Sequence, residues 1–264
     1  MVELDKIRRE PVLIPDSHEL NWASIQVDQD DNVPGPCNKL LTRDPATGAH
    51  TRLLHIPPGW HDDQLDWHPA VEEGLTLQGT CRIGANLLEV GSYLYRPPGI
   101  LHGPVYGDRD VGATFIVHWT GRSRILRYKG DKFPHEDGQA ITDDHKHVPF
   151  EWHQKLDTNP IPWVDAEHGG WAGTRYRWIN RNRETGGGAI MIDIPAGWEG
   201  TGSDGHGAAE EFVLQGSLNV GGVTYVKWGY ACRARGGRAG IYGSEDGACL
   251  LCWWDENELE ELKR

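Results

Sequence analysis

The sequence predicts an all-β protein made of two copies of one barrel-sized module, and three observations lead there. The 264 residues include 34 glycines, 16 prolines and 12 tryptophans, turn formers and large aromatics that suit short strands around packed interiors. Runs of β-favouring residues recur between Gly, Pro and Asp turns. Above all, the chain repeats itself. Leu54-His55-Ile56-Pro57-Pro58-Gly59-Trp60 matches Ile192-Asp193-Ile194-Pro195-Ala196-Gly197-Trp198, and His68-Pro69-Ala70-Val71-Glu72-Glu73 matches His206-Gly207-Ala208-Ala209-Glu210-Glu211. Each half then reaches Leu-Gln-Gly, at Leu77-Gln78-Gly79 and Leu214-Gln215-Gly216. The copies lie 138 residues apart from Lys39/Arg177 through Glu73/Glu211. One residue is missing before Gly216 and is regained before Gly229, the partner of Gly91.

In chain order, the first module offers strands at 51–56, 74–77, 81–83, 92–96 and 113–119, each bounded by turn residues. The second offers 189–194, 211–214, 217–220, 224–228 and 248–253. The stretch between them is rich in Asp, Lys, His and Pro and reads as a linker with room for one helix. The expected domains are therefore 1–130, a linker over 131–160, and 161–264. The acidic tail at 255–262 favours a solvated terminal helix.

A net charge of −13 disfavours nucleic acid as a partner. No apolar run is long enough to span a bilayer, and the charged start lacks the apolar core of a signal peptide, so a cytoplasmic location is expected. Five scattered cysteines argue against a disulfide framework. Cys249 and Cys252 are three apart on a strand-like run, so they face opposite sides and are expected as small buried hydrophobes rather than a shared metal site.

The chemistry concentrates in the first half. Residues two apart on a strand point the same way, so Asp66 and His68 both suit a barrel interior. Glu72 opens the next strand, and His102 follows a Pro-Pro-Gly turn that returns it across the barrel. Two imidazoles with one or two carboxylates in a pocket suit a divalent first-row metal.

Those residues also fall on two spaced motifs. Gly91, Pro97, Gly99 and His102 hold every fixed position of the second cupin motif up to its histidine. Gly59, His68, Glu72 and Gly79 follow the first, with Asp66 where its leading histidine belongs and one extra residue in the preceding loop. The chain resembles the cupin superfamily, specifically two-domain bacterial cupins that include ChrR-like proteins, and both halves carry the likeness. The resemblance implies two tandem double-stranded β-helix (jelly-roll) barrels. It also implies one metal per chain held by Asp66, His68, Glu72 and His102, with His61 in reserve for the Asp66 position and water a third possibility. Fe(II) is favoured, and Zn, Mn, Ni or Co also fit.

In the second half His206 and Glu210 persist, with Asp204 at the Asp66 position, but Gly240 aligns with His102 and Arg235 with Pro97. A degenerate, structural second barrel is expected. His55, His118 and Tyr106 are candidate catalytic groups around the first site. Arg52 is expected on the face of His55 and is a candidate to hold an anionic substrate. Trp67 should point away from the ligands, and Tyr93 and Tyr95 stay open as to face.

The resemblance favours a metal-dependent dioxygenase acting on a small enolic or phenolic molecule. A Lewis-acid isomerase, hydrolase or lyase, or a ChrR-like sensing module, are the alternatives. A small-molecule substrate and a homodimer complete the expectation.

Overall fold

Each half of the chain pairs its strands into a seven-stranded and a four-stranded antiparallel sheet. The computed structural model describes residues 11–25, 34–128, 153–182, 186–202, 209–234, 237 and 240–254. Residues 131–152 of the expected 131–160 linker, and the terminal helix expected at 255–262, lie outside the described residues. Two units emerge: Asn21–Asn159, and the segment ending at Leu20 together with Pro160–Arg264.

In the first unit the large sheet runs His153–Asp157, Ser92–Arg96, Glu72–Gly79, Ala113–Trp119, His50–Ile56, Cys37–Arg43, Ala23–Ser24. The smaller sheet runs His61–Asp62, Val105–Gly107, Cys81–Ile83, Asn86–Leu88, and Leu126–Arg127 pairs separately with Asp66–Trp67. The second unit repeats the order with Val12–Ile14, Tyr230–Arg233, Ala209–Gly216, Ala248–Trp254, Gly188–Ile194, Arg175–Arg181 and Val164–Asp165. Its smaller sheet is Trp198–Gly200, Tyr242–Ser244, Leu218–Val220, Val223–Tyr225. No helix among the described residues is long and apolar enough to cross a membrane.

The outermost strands depart from the expected boundaries. His153–Asp157, read from sequence as linker, pairs with Ser92–Arg96 of the first unit. Val12–Ile14, read as part of the first domain, pairs with Tyr230–Arg233 of the second. Local pattern signals a strand's existence but carries no information about which distant edge it will cover. A second difference lies at 224–228: the strand there ends at Tyr225, Trp228 has φ 70, and the run that joins the large sheet is Tyr230–Arg233.

Alternation along the strands separates two faces. Ile56, Trp60, Leu88, Leu94, Phe115, Val117 and Trp119 fill the first barrel's interior, with Leu54 packed against them. Leu53, Leu75, Tyr93 and Ile116 are buried on the opposite face of the large sheet. In the second barrel Cys252 lies in the interior core and Cys249 outside it, and all five cysteines are free thiols. The opposed facing expected of this pair holds.

Strand pairing also decides which residues of the two halves correspond. Leu77 is the extra residue of a bulge between Thr76 and Gln78, and Leu214 is the same between Val213 and Gln215. Counting back, Tyr93 faces Leu75 as Tyr230 faces Phe212, and Arg96 faces Glu72 as Arg233 faces Ala209. Glu72 therefore corresponds to Ala209 and Glu73 to Glu210. The sequence alignment, which matched Glu72 with Glu210, is one residue out here, because the missing residue lies upstream of Ala209 rather than just before Gly216.

Gly79 and Gly216 close the bulged strands at φ +70 and +71, and a Cβ at either would sit 2.0 Å from the carbonyl oxygen of Gly112 or Gly247. Gly59 has φ +71 with nothing within 4 Å. Gly59→Ala is expected to cost about 1 kcal/mol, the left-handed backbone penalty alone. Gly79→Ala adds a backbone clash and is expected to cost about 3 kcal/mol or more in urea denaturation. Equal losses for the two would contradict the role assigned to the Gly112 carbonyl.

Candidate metal centre

His68, Glu72 and His102 are all buried, and each offers a ligand atom within 4.8 Å of the others'. The backbone brings them together before any side chain acts. Asp66 and His102 exchange N–H···O bonds of 2.8 and 2.9 Å, stapling the two motif loops to each other. Gly99 N–H then donates to the His68 carbonyl at 2.8 Å. Glu72 starts the adjacent strand of the large sheet and points inward beside Trp119, its cross-strand neighbour.

The imidazoles are oriented by backbone carbonyls. His68 Nδ1 lies 3.0 Å from Arg124 O, and His102 Nδ1 lies 3.1 Å from Ile100 O. A carbonyl only accepts, so each Nδ1 carries the proton and each Nε2 is left with its lone pair. The two Nε2 atoms approach to 3.1 Å, and His68 Nε2 lies 3.8 Å from Glu72 Oε2. Burial is the main cause that holds the His68 pKa below its ordinary value. Burial, then the Arg96 guanidinium, pushes His102 down to about 3. Both rings are thus neutral at pH 7. Two facing lone pairs and a carboxylate form a donor set that a divalent cation satisfies and that repels itself otherwise. The residues fit a metal.

Glu72 remains ionised. Burial pushes its carboxyl up, but Arg96, donating from Nη1 to Oε2 at 2.8 Å, and the two histidines outweigh that and bring it to about 2. Trp119 closes one side, edge-on to His68 with ring centroids 4.5 Å apart.

Asp66 stands apart from this cluster. Both its carboxylate oxygens lie 3.0 Å from Arg127 Nη1, which also donates to Asp62. Burial raises the Asp66 carboxyl to about 6 against the opposing pull of Arg127. The Asp66 backbone pairs with His102, but its carboxylate is engaged by an arginine from Leu126–Arg127. His61 is largely exposed and stacks on Tyr106, whose hydroxyl donates to Asp63 at 2.8 Å. Neither His61 nor Tyr106 is among the clustered groups.

His55 and His118 face away from the interior: His55 Nδ1 meets Thr114 Oγ1 at 3.0 Å, and His118 meets Thr51 Oγ1 at 3.3 Å. Tyr93, donating to Glu73, lies on that outer face too. Arg52 is three residues from His55 and so points inward, over Trp119, with its Cζ 5.8 Å from the ring centroid. The shared face expected of Arg52 and His55 is therefore corrected.

Arg96, Arg124 and Arg127 are contributors that sequence reasoning passed over. Arg96 was legible, since it precedes Pro97 with the inward parity of Leu94. Arg124 acts through its carbonyl, and no side-chain motif records that.

In the second barrel Ala209 stands where Glu72 does. Glu210 accepts from Tyr230 at 2.7 Å, as Glu73 accepts from Tyr93. Gly221 N–H bonds to Ile241 O as Gly84 N–H bonds to Pro104 O, so Gly240 (φ 96) matches Gly103 (φ 110), and the His102 position is Ala239. The alignment of Gly240 with His102 shifts by one, and no imidazole returns. Asp204, His206, Arg235 and Ala239 lie outside the described residues.

His102→Ala is expected to abolish stoichiometric metal binding, measured by elemental analysis after dialysis, while His206→Ala leaves it unchanged. Equal loss in both variants would contradict a single centre. Glu72→Gln is expected to cost about 3 kcal/mol at pH 7 by leaving Arg96 poorly matched. A carboxyl held below its ordinary 4.5 contributes stability above that pH and loses it as the pH falls toward 2. The gap between wild type and Glu72→Gln should therefore narrow over that acid range in urea titrations. A pH-independent gap would rule out this assignment.

Comparison with known proteins places these observations. A family profile described as a domain of unknown function, DUF4437, matches residues 5–124. No curated protein sequence matches the chain. Among solved structures, a candidate dioxygenase from Nostoc punctiforme aligns over 96% of this chain and 81% of its own, at 18% identity and TM-score 0.71. A Pseudomonas aeruginosa protein described as glyoxylate-induced aligns over 87% and 83%, at 12% identity and TM-score 0.60. A Bacillus subtilis oxalate decarboxylase variant aligns over 94% and 77%, at 11% identity and TM-score 0.56. Strand order, duplicated register and these likenesses agree on one architecture: two tandem cupin barrels.

Proposed function

We propose that the first barrel is a metal-dependent enzyme centre, with one Fe(II) in the favoured case, cleaving a small enolic or phenolic substrate with O2. The observation that carries this reading is the convergence of two Nε2 lone pairs and one ionised carboxylate from a buried, carbonyl-oriented set. Two histidines and one carboxylate with open positions are the donor set associated with non-haem Fe(II) oxygenases. A metal bound there supplies Lewis acidity and a redox-active centre. The protein's own contribution is orientation: Arg96 keeps Glu72 ionised, two backbone carbonyls hold the imidazoles, and Trp119 with Phe115 and Val117 excludes water from the interior. The fold likeness to a candidate dioxygenase agrees with this reading.

A redox-neutral reaction is the second reading, and the likeness to an oxalate decarboxylase is the observation in its favour. A ChrR-like sensing role uses the same ligands without turnover. Anaerobic purification with elemental analysis, followed by O2-electrode assays across enolic and phenolic compounds, separates the three. About one Fe per chain with substrate-dependent O2 uptake is expected. Metal-dependent turnover without O2 uptake would move the assignment to Lewis-acid chemistry. Tightly held zinc and no turnover would replace the enzyme reading with sensing.

A further inference from the structure

Arg52 is a positive charge on the inner face of the barrel with no carboxylate hydrogen-bonded to it among the described residues. It enters from His50–Ile56, opposite Val117, and lies over Trp119, which makes a T-shaped ring contact with His68. Its Nε is shielded from solvent and has no hydrogen-bond partner among the described residues. The Glu72 carboxylate is already engaged by Arg96, and the Asp66 carboxylate by Arg127. Arg52 nevertheless feels the site: burial lowers its pKa, and the attraction of Glu72 partly opposes that.

A guanidinium presents five donors and no acceptor, and in proteins it stays charged. Its Nε is held away from water with no partner among the described residues, and a bound anion would supply one. The balance around the ligands points the same way. Arg52, Arg96 and a divalent cation outnumber the single negative charge of Glu72. The rest of the chain is acidic, at −13, so this pocket opposes the sign of the whole.

Resting on the metal-centre reading above, we infer that the substrate is a small organic acid whose carboxylate is received by Arg52 while its neighbouring enol or keto oxygen faces His68, Glu72 and His102. Two oxygens spaced along one short molecule match a cation on one side and a guanidinium on the other. A neutral enol or phenol of the same size leaves Arg52 unmatched and is a poorer guest. Arg52 thereby becomes the residue that selects acids over their amides.

The test is calorimetric titration of metal-loaded and metal-free protein with pyruvate and with pyruvamide, its uncharged counterpart of nearly equal shape. Wild type is expected to prefer pyruvate. Arg52→Met should lose roughly 10- to 100-fold of that preference, the range for a charge-assisted hydrogen bond, with little change for pyruvamide. Arg52→Lys, which keeps the charge, should retain part of it and covers the case that Arg52→Met fails to fold. Metal content, read on the same samples, should be equal in wild type and Arg52→Lys. An unchanged preference in the variants, or none in wild type, overturns the inference while leaving a metal-loaded centre standing. Should wild type bind no metal, the enzyme reading falls, and the Arg52-dependent preference in metal-free protein still decides the anion site.

Discussion

Two hydrogen bonds to backbone carbonyls, His68 Nδ1 to Arg124 O and His102 Nδ1 to Ile100 O, are what the candidate centre depends on. They set the tautomers, and the tautomers turn a pair of buried histidines into a pair of converging lone pairs. One carbonyl belongs to the turn that carries His102 itself. The other comes from the arm at 121–128, which leaves the Ala113–Trp119 strand and returns to pair with Asp66–Trp67. Arg127 ties that arm to Asp62 and Asp66. Asp66 is thus an anchor for the arm, and its backbone pairs with His102 while its carboxylate serves Arg127.

The two barrels share more than their ligands. The bulge at Leu77 recurs at Leu214, the carboxylate–tyrosine pair Glu73–Tyr93 recurs as Glu210–Tyr230, and Gly79 recurs as Gly216. Besides the imidazole that the second half lacks, what separates them chemically is one residue of register entering the Ala209–Gly216 strand. Side chains alternate faces at each step, so a single step is enough to put an alanine where a carboxylate was. In the second barrel the inward position opposite Ala209 is Arg233, and Glu211, two residues further on the same face, pairs with it and accepts from Tyr242 at 2.8 Å. The polar charge there is answered from within the protein. In the first barrel no carboxylate is hydrogen-bonded to Arg52 among the described residues.

Much of this was legible in the residues. The duplication follows from matched segments 138 residues apart, and the all-β class and the strands at 81–83, 92–96 and 113–119 follow from turn residues and β-favouring runs, signals that are local. His68, Glu72 and His102 were legible as a group because the spacing of each motif is set by strand period and turn length, which tertiary packing does not alter. Where the structure differs, the reasons differ. An alignment can slide a gap by several residues without penalty, whereas a hydrogen-bonded ladder cannot, and the ladder matches Glu210 with Glu73 rather than Glu72. Arg52 is three residues from His55, an odd spacing that puts the two on opposite faces. His55 and His118 lie on the outer face, which residue type alone does not reveal.

The amino-acid order by itself therefore determined the repeated module, the class of fold and a ligand set, Asp66, His68, Glu72 and His102, that includes the three residues able to hold a cation, since these rest on self-similarity and motif spacing readable along the chain. Only the tertiary structure decided that Asp66 answers Arg127, that Arg124 lends a carbonyl to His68, and that Arg52 lies over Trp119 with its Nε unpartnered among the described residues. Those are pairings between residues distant along the chain, and the free energy that selects them comes from burial, which removes water as a competitor and exists only once the sheets have closed.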